Sequence, residues 1–453
     1  MQRRLAARAT LAAFALALNG SPAIAAVPAP APEPILASAE QDEAEEALLA
    51  LLEHPDVKAV QTGLRVQLAA TAIGQTRDGA ATLERAVACL SNSLILKEVA
   101  TYRAVPAILW VTEDSPRQWR GRSIGCVGTA GDNPDNIYRM AVVPDGERYE
   151  FTGRFPAKNR ATQFIVQLGP GEPGFAPKLA GTKPEAVEVL GVFTDRDLKI
   201  APDGSFRFTV GGAPGAPGNA PNHVVTPAGP IGVGFRDSMA DWRQEGARLA
   251  VRRLDPGAPR PFDADELRRR VVGRLGDYVR SWADFPNHWF GGLKPNTYGG
   301  PMGREGAWGF VAGLRFSLAA DEALAVTISR GSAGYLGFQV VDPWTLAADA
   351  RSNLTSLNLA QSAPDRDGNF TYVIAASDPG VANWLDTTGL HDGFGVIRWQ
   401  GTPAGATKDG LLRSFRVIKL AEAAKLPGIA RITPAQRRAQ LAKREAEWAN
   451  RLR

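Results

Sequence analysis

The chain has 453 residues, 44% hydrophobic and 22% charged, enough for two or three domain-sized units or one compound domain. Its formal charge of +5 is concentrated at the ends. Three positive charges fall in the first 25 residues and a net four in the tail from Ile432, which leaves the body between them at −2. A nucleic-acid binder carries its basic charge on the folded body, so that class is discounted, and no stretch beyond the leader is apolar for long enough to cross a bilayer.

Residues 1 to 25 have the parts of a cleavable signal peptide. Arg3, Arg4 and Arg8 precede the apolar run Leu11 to Leu18, and Ala23-Ile24-Ala25 offers small residues for cleavage. They predict a protein that is periplasmic or secreted. The Arg3-Arg4 pair is what the twin-arginine route reads, but its flanks match that signal poorly, and the Sec route stands beside it. Residues 26 to 37 form a Pro-Ala linker.

Residues 38 to 104 read as an N-terminal segment of two or three helices. Ser38 and Gln41 have capping-box spacing, and Ala44, Leu48, Leu51 and Leu52 form an apolar face before Pro55; breaks fall near Gly74 and Gly79. Residues 105 to 235 turn to β character. Gln163 to Leu168 and Ser205 to Val210 alternate apolar and polar, with Asp203-Gly204 as a turn. The Gly/Pro/Ala-rich loop at 211 to 222 has no Lys or helix start after it, so it is not a phosphate cradle. Residues 236 to 304 read as helical, with candidates at Met239 to Arg253 and Asp263 to Trp282. The second carries Leu267, Val271, Leu275 and Tyr278 at helical spacing. A glycine-rich loop spans 291 to 309. Residues 305 to 420 are again β-rich, with a hairpin signal at Asp367-Gly368. A basic helix starts at Thr433-Pro434, within 432 to 453, and puts Leu441, Trp448 and Leu452 on one face. No internal repeat is visible. The fold class expected is α+β, with mainly antiparallel strands and flanking helices.

The motifs for metal and nucleophilic chemistry are missing. His54, His223, His288 and His391 lack metal-ligand spacing, and Arg330 stands where a nucleophile elbow at Ser332 needs Gly. Asp365 to Asn369 resembles the start of a calcium loop, but Ala376 occupies the position of its last carboxylate. No cofactor and no metal are expected. Cys89 and Cys126 either form a disulfide or remain two buried thiols.

Polar-aromatic clusters remain: residues 131 to 139, Asp241-Trp242, residues 284 to 289, and residues 378 to 387 with Arg398-Trp399. Asn, Asp, Gly and Pro also build turns, and a Trp beside them often fills a core. The functional reading is a small-molecule site. Trp384, Asn383, Trp242, Tyr138, Asn136 and His288 would bind a flat or sugar-like ligand. Asp386 or Asp241 would act as general acid or base, and Arg398 would steady negative charge. The loop at 291 to 309, with Asn296 and Tyr298 at its tip, would be a lid. The chemistry fits a hydrolase or lyase, with a binding module or a structural envelope protein as alternatives.

These blocks carry a resemblance. Gly-Asp-Asn-Pro-Asp-Asn-Ile-Tyr-Arg at 131 to 139, Asp241-Trp242, Ser356-Leu357-Asn358, the ten residues from Asp378 with their Asn-Trp-Leu-Asp core, and Arg398-Trp399 resemble the bacterial family catalogued as domain of unknown function 1214. The likeness is densest from about 305 to 400. It implies a jelly-roll-like β-sandwich with helices beside it, and no reaction. The Pro-Ala spacer and the loop at 211 to 222 depart from the family pattern.

Overall fold

The computed structural model describes residues 35–170, 189–212, 222–226, 228–255, 261–304 and 308–452. The expected signal peptide, most of the Pro-Ala linker and most of the loop at 211 to 222 lie outside the described residues. The described residues form one compact unit.

Three helices open it: α1 (Ala39–Glu53), α2 (Pro55–Ala69) and α3 (Arg77–Thr101). Ser38 caps α1 by accepting from the Gln41 N–H at 3.1 Å. The Gln41 side chain does not return to the cap, as a capping box requires; it donates to Glu45 at 2.9 Å. Thr76 caps α3, and the C-terminal half of α3 is buried. Cys89 on α3 is bridged to Cys126, with Cα atoms 4.9 Å apart, so the disulfide alternative holds. Closing a loop of this length stabilises by about 4 kcal/mol in the chain-entropy model.

Strand β1 (Leu109–Thr112) leads to a small ribbon, β2 (Arg117–Trp119) and β3 (Arg122–Ile124). Then come β4 (Asn136–Val143), β5 (Tyr149–Arg154), β6 (Gln163–Pro170), β7 (Gly191–Thr194), β8 (Ser205–Val210), β9 (His223–Val224), β10 (Ile231–Ser238) and β11 (Arg248–Arg253). A five-stranded sheet of order β1-β4-β10-β6-β7 packs on a four-stranded sheet of order β11-β5-β8-β9. Phe151, Phe164, Phe208 and Phe235 fill the space between them. Met239 to Arg253 is therefore not a helix. Leu249 and Val251 alternate with Arg248, Ala250 and Arg252, a period of two that suits β11 as an edge partner of β5.

Helix α4 (Ala264–Trp289) follows, longer than its stripe predicts. Then come β12 (Thr297–Gly303), β13 (Gly309–Ser317), β14 (Glu322–Ser329), β15 (Tyr335–Val341), β16 (Ser356–Asn358), β17 (Asn369–Ala375), β18 (Trp384–Asp386), β19 (Asp392–Gln400) and β20 (Leu412–Lys419), and last α5 (Pro434–Trp448). Asp367-Gly368 makes a turn, with Gly368 at φ +76°, but β16 and β17 on either side of it lie in different sheets, so it is not a hairpin. The sheets are β12-β13-β19-β15-β16 and β18-β17-β14-β20, with Phe316, Phe338, Tyr372 and Trp399 in the core between them.

This is the order of the first sandwich over again. β12, β13, β19, β15 and β16 stand where β1, β4, β10, β6 and β7 stand, and β20, β14, β17 and β18 match β11, β5, β8 and β9. Even the parallel pair β8–β9 recurs as β17–β18. The chain thus holds an internal structural repeat that its sequence hides, because only the alternation of core residues is shared. In each half the strands pass back and forth between the two sheets, as in a jelly roll. The α+β sandwich expected from sequence is present twice.

The two sandwiches meet through the outer faces of their five-stranded sheets. Gln163 on β6 donates to the Trp308 carbonyl at 3.2 Å; Tyr335, at the equivalent place on β15, donates to Asp135 at 2.7 Å, just before β4 as Trp308 is just before β13. Such reciprocity marks an isologous contact. Asp135 is fully buried and also accepts from Trp242 Nε1 at 2.7 Å and Asn358 Nδ2 at 3.1 Å. Gly337 makes room for this knot: a Cβ there would lie 1.8 Å from the Tyr335 hydroxyl. Helices α3 and α4 add a second junction, in which Arg270 and Arg274 meet fully buried Glu98 at 3.0 and 3.1 Å.

The basic tail is solvated on one side, with Arg438 and Lys443 exposed, and packed on the other. Arg437, Arg444 and Arg451 are spaced by seven, so they share one face, and all three are buried. Arg437 pairs with Asp378 at 2.9 Å, Arg444 donates to Ser356 at 2.8 Å, and Arg451 pairs with Glu113 at 3.1 Å.

Replacing Asp135 by Ala strands three buried donors and is expected to destabilise the fold by about 3 to 5 kcal/mol. Asp135→Asn, which keeps an acceptor, is expected to cost less. Urea unfolding followed by Trp fluorescence measures both.

Candidate anion-binding chamber

The alternation of β10 and β19 builds this site. Phe235 and Ile397 point into the two cores, so their neighbours Arg236 and Arg398 stand on the outer faces, between the sandwiches. Tyr138 on β4 lies directly opposite Arg236, with the guanidinium carbon 5.7 Å from its ring centre. Arg304, after β12, lies over the Trp308 ring at 4.1 Å. Asp132, in the loop before β4, accepts from the Thr129 N–H at 2.6 Å. Asp132, Tyr138 and Arg304 are each half-buried, which leaves surface on all three for a ligand.

Electrostatics tie these groups together. Burial, and then the like charges of Arg236 and Arg398, push Arg304 down to about 9. Burial raises Asp132 to about 6, against the pull of the Thr129 N–H, Lys97, Arg236 and Arg398. Burial and the charge of Asp132 hold the neighbouring Asp114 well above the carboxylate range. Among the described residues, none of Arg236, Arg304 and Arg398 forms an ion pair with a carboxylate. Arg236 donates to Gln167 at 2.7 Å, and Arg398 to Gln339 at 2.7 Å and to the Gly131 carbonyl at 2.5 Å. On the same face of β4, β10 and β6, the side-chain oxygens of Asn136, Ser238 and Gln163 sit in register, buried and without a hydrogen-bond partner among the described residues.

Of the residues singled out in the sequence, Tyr138 and Arg398 come together here, and Asn136 lies on the same face. The others do not join them. Trp242 is 1% exposed, with Arg444 and Arg451 stacked on its ring at 4.1 and 5.2 Å, so it has no free face for a ligand. Trp384 is 9% exposed, lies under Arg437 at 5.0 Å and donates to the Ala375 carbonyl. Asn383 is spent on the backbone of Ala363 and Thr371. Asp241 is tied to Arg243, and Asp386 ends β18 in the other sheet of the second sandwich, accepting from the Thr388 N–H at 2.7 Å. Neither carboxylate shares a partner with Arg398. His288 pairs with Asp284 at 2.8 Å on α4.

The expected lid contains a strand, β12, over Thr297–Gly303. Asn296 is fastened to Ser317, and Tyr298 packs on Phe415 at 5.0 Å in β12, at the sheet edge. Sequence reasoning missed Asp132, Arg236, Arg304 and Trp308. The available signal was the shared run of an apolar residue and Arg in two strands, Phe235-Arg236 and Ile397-Arg398. A separate hollow of ≈ 90 Å³ beneath α5, lined by Leu357, Gln361 and Arg444, falls short of the few hundred Å³ that small-molecule sites take up. Among the described residues, no group of His, Cys, Asp or Glu is arranged to hold a metal, and no helix is long and apolar enough to cross a membrane.

The buried carboxyls set a pH dependence. Asp132 and Asp342 are raised to about 6 and Glu113 to about 7, chiefly by burial. A raised carboxyl binds its proton more tightly in the folded chain than in the unfolded one. Its contribution to stability is complete below about pH 4, the unfolded value. It is lost as pH rises through 6 to 7. Carboxylates held low at the surface, such as Asp241 and Asp255, titrate below this window. The melting temperature is therefore expected to be higher at pH 5 than at pH 8, and Asp132→Asn to flatten that slope, as calorimetric scans across the range would register.

No family model matches the chain, and no curated protein does. Among solved structures, the chain is similar to an uncharacterized protein from Burkholderia cenocepacia at 23% identity and TM-score 0.63, over 84% of this chain and 99% of that one. A protein from Vibrio parahaemolyticus aligns at 10% identity and TM-score 0.37, over 64% of this chain and 90% of that one. The first of these likenesses is one of fold: the Burkholderia protein shares the architecture described above across nearly its whole length.

Proposed function

We propose that this is an exported protein that binds a small anionic molecule in the chamber between its sandwiches. The observation that carries the reading is the gathering of Arg236, Arg304 and Arg398 without a carboxylate partner among the described residues. Enclosed guanidiniums are costly unless an anion pairs with them, and a planar carboxylate or phosphate edge suits their fork. Tyr138, half-buried, offers a flat wall for the body of such a ligand. The leader at residues 1 to 25 and the Cys89–Cys126 bridge support a place outside the cytoplasm. The resemblance to the unknown-function family 1214 belongs to the same proposal and adds no reaction to it.

Asp132 favours a second reading, in which the bound anion is turned over by a hydrolase- or lyase-type step. A carboxyl raised to about 6 beside Tyr138 is suited to proton transfer near neutral pH. It takes the part foreseen for Asp386 and Asp241.

Calorimetric titration with phosphate, sugar acids and aromatic acids tests the first reading. At least one is expected to bind, and Arg304→Gln and Arg398→Gln to weaken it by about tenfold or more, roughly 1.4 kcal/mol each. Asp241→Asn and Asp386→Asn are expected to leave affinity unchanged. A folded wild-type protein that binds none of these anions would sink the proposal. With a bound compound in hand, Asp132→Asn separates the readings: retained affinity with lost turnover supports the enzyme, and no turnover by the wild type removes it. Mass spectrometry of the exported protein is expected to find the N-terminus just after Ala25.

A further inference from the structure

We infer that the chamber's ligand is a compact dianion, a dicarboxylate on a flat skeleton, gripped at its two ends by equivalent arginines from the two sandwiches. This rests on the anion-binding reading above and narrows its substrate class.

The argument starts from register. Arg236 on β10 lies opposite Ile165 of β6 and donates to Gln167, two residues further along β6, at 2.7 Å. Arg398 on β19 lies opposite Gly337 of β15 and donates to Gln339, two residues further along β15, at 2.7 Å. β10 and β6 occupy in the first sandwich the places that β19 and β15 occupy in the second. The two Arg–Gln pairs are therefore the same device, present once in each half. In each, the Gln oxygen fixes one edge of a guanidinium, which has five N–H donors and keeps others for a ligand.

Both devices act on one space. Arg236 and Arg398 both bear electrostatically on Asp132, Tyr138 and Arg304. Gln339 reaches across to the first half as well, donating to the Asp132 carbonyl at 3.0 Å. The cations that bear on this space, Arg236, Arg304, Arg398 and Lys97, outnumber its carboxyls, Asp132 and the neighbouring Asp114. A monoanion would leave one of the equivalent arginines uncompensated, whereas a dianion meets both. Arg236 lies 5.7 Å from the ring centre of half-buried Tyr138, so an aromatic face stands beside one charged end and favours a planar body.

The test compares matched acids on the wild-type protein: benzoate against the three benzenedicarboxylates, and butyrate against succinate, by calorimetric titration at constant ionic strength. At least one dicarboxylate is expected to bind tenfold or more tighter than its monocarboxylate. Arg236→Gln and Arg398→Gln are each expected to erase that advantage, with circular dichroism checking that they fold. The wild-type comparison decides the matter even if neither variant folds. A monocarboxylate that binds as tightly as every matched dicarboxylate overturns the inference and leaves the anion reading standing. Failure of every anion, phosphate included, to bind the folded protein takes both away.

Discussion

The architecture depends on one buried carboxylate. Asp135 accepts hydrogen bonds from Trp242, Tyr335 and Asn358, which stand 107, 200 and 223 residues away along the chain. Its burial raises its affinity for a proton, and only the three donors and the nearby Arg444 make that burial tolerable. Around this point the first sandwich and the second are held together. Arg444 and Arg451 close over the Trp242 ring that Asp135 orients. Of the polar-aromatic blocks that look like a binding site in the sequence, those around Asp135 and Trp242 are parts of this junction.

That explains what was legible and what was not. Strand and helix positions follow from periodicity, because a core face imposes a period of two or 3.6 on any sequence. Thus Ser205 to Val210 and the stripe on α4 were readable, as was the cap at Thr433. Met239 to Arg253 was misread because Trp242, Leu249 and Val251 satisfy several patterns at once, and tertiary pairing with β5 decides between them. The repeat was invisible because the two halves share alternation and topology but few residues. Tyr138 and Arg398 were found as members of polar clusters. Asp132 lies in the same cluster as Tyr138 but was not singled out, and Arg236 and Arg304 lie in none, since a site formed where two sheets meet leaves no contiguous motif.

The protein uses arginine in two opposed ways. Arg437 and Arg451 are buried with a carboxylate each, and Arg444 with carbonyl, hydroxyl and amide oxygens, and they fasten α5 across the molecule. Arg236 and Arg398 are held by neutral glutamine oxygens, which orient a guanidinium without cancelling its charge. The first arrangement spends charge on cohesion. The second preserves it, and preorganised charge in a place of low dielectric is what recognition of an anion requires.

The structural repeat bears on ancestry. A lone sandwich bearing this outer face would be self-complementary, and two copies would meet about a twofold axis with every contact made twice. A mutation in such a dimer alters both halves together, so its central cleft must stay symmetric. Joining the copies in one polypeptide lifts that restriction. In this chain the two halves differ where it matters: Tyr138 faces Arg236 while Val311 faces Arg398, and Gln163 occupies the place that Tyr335 fills in the other half. A cleft with matching ends and unlike sides would hold a ligand with like ends in a single, oriented way.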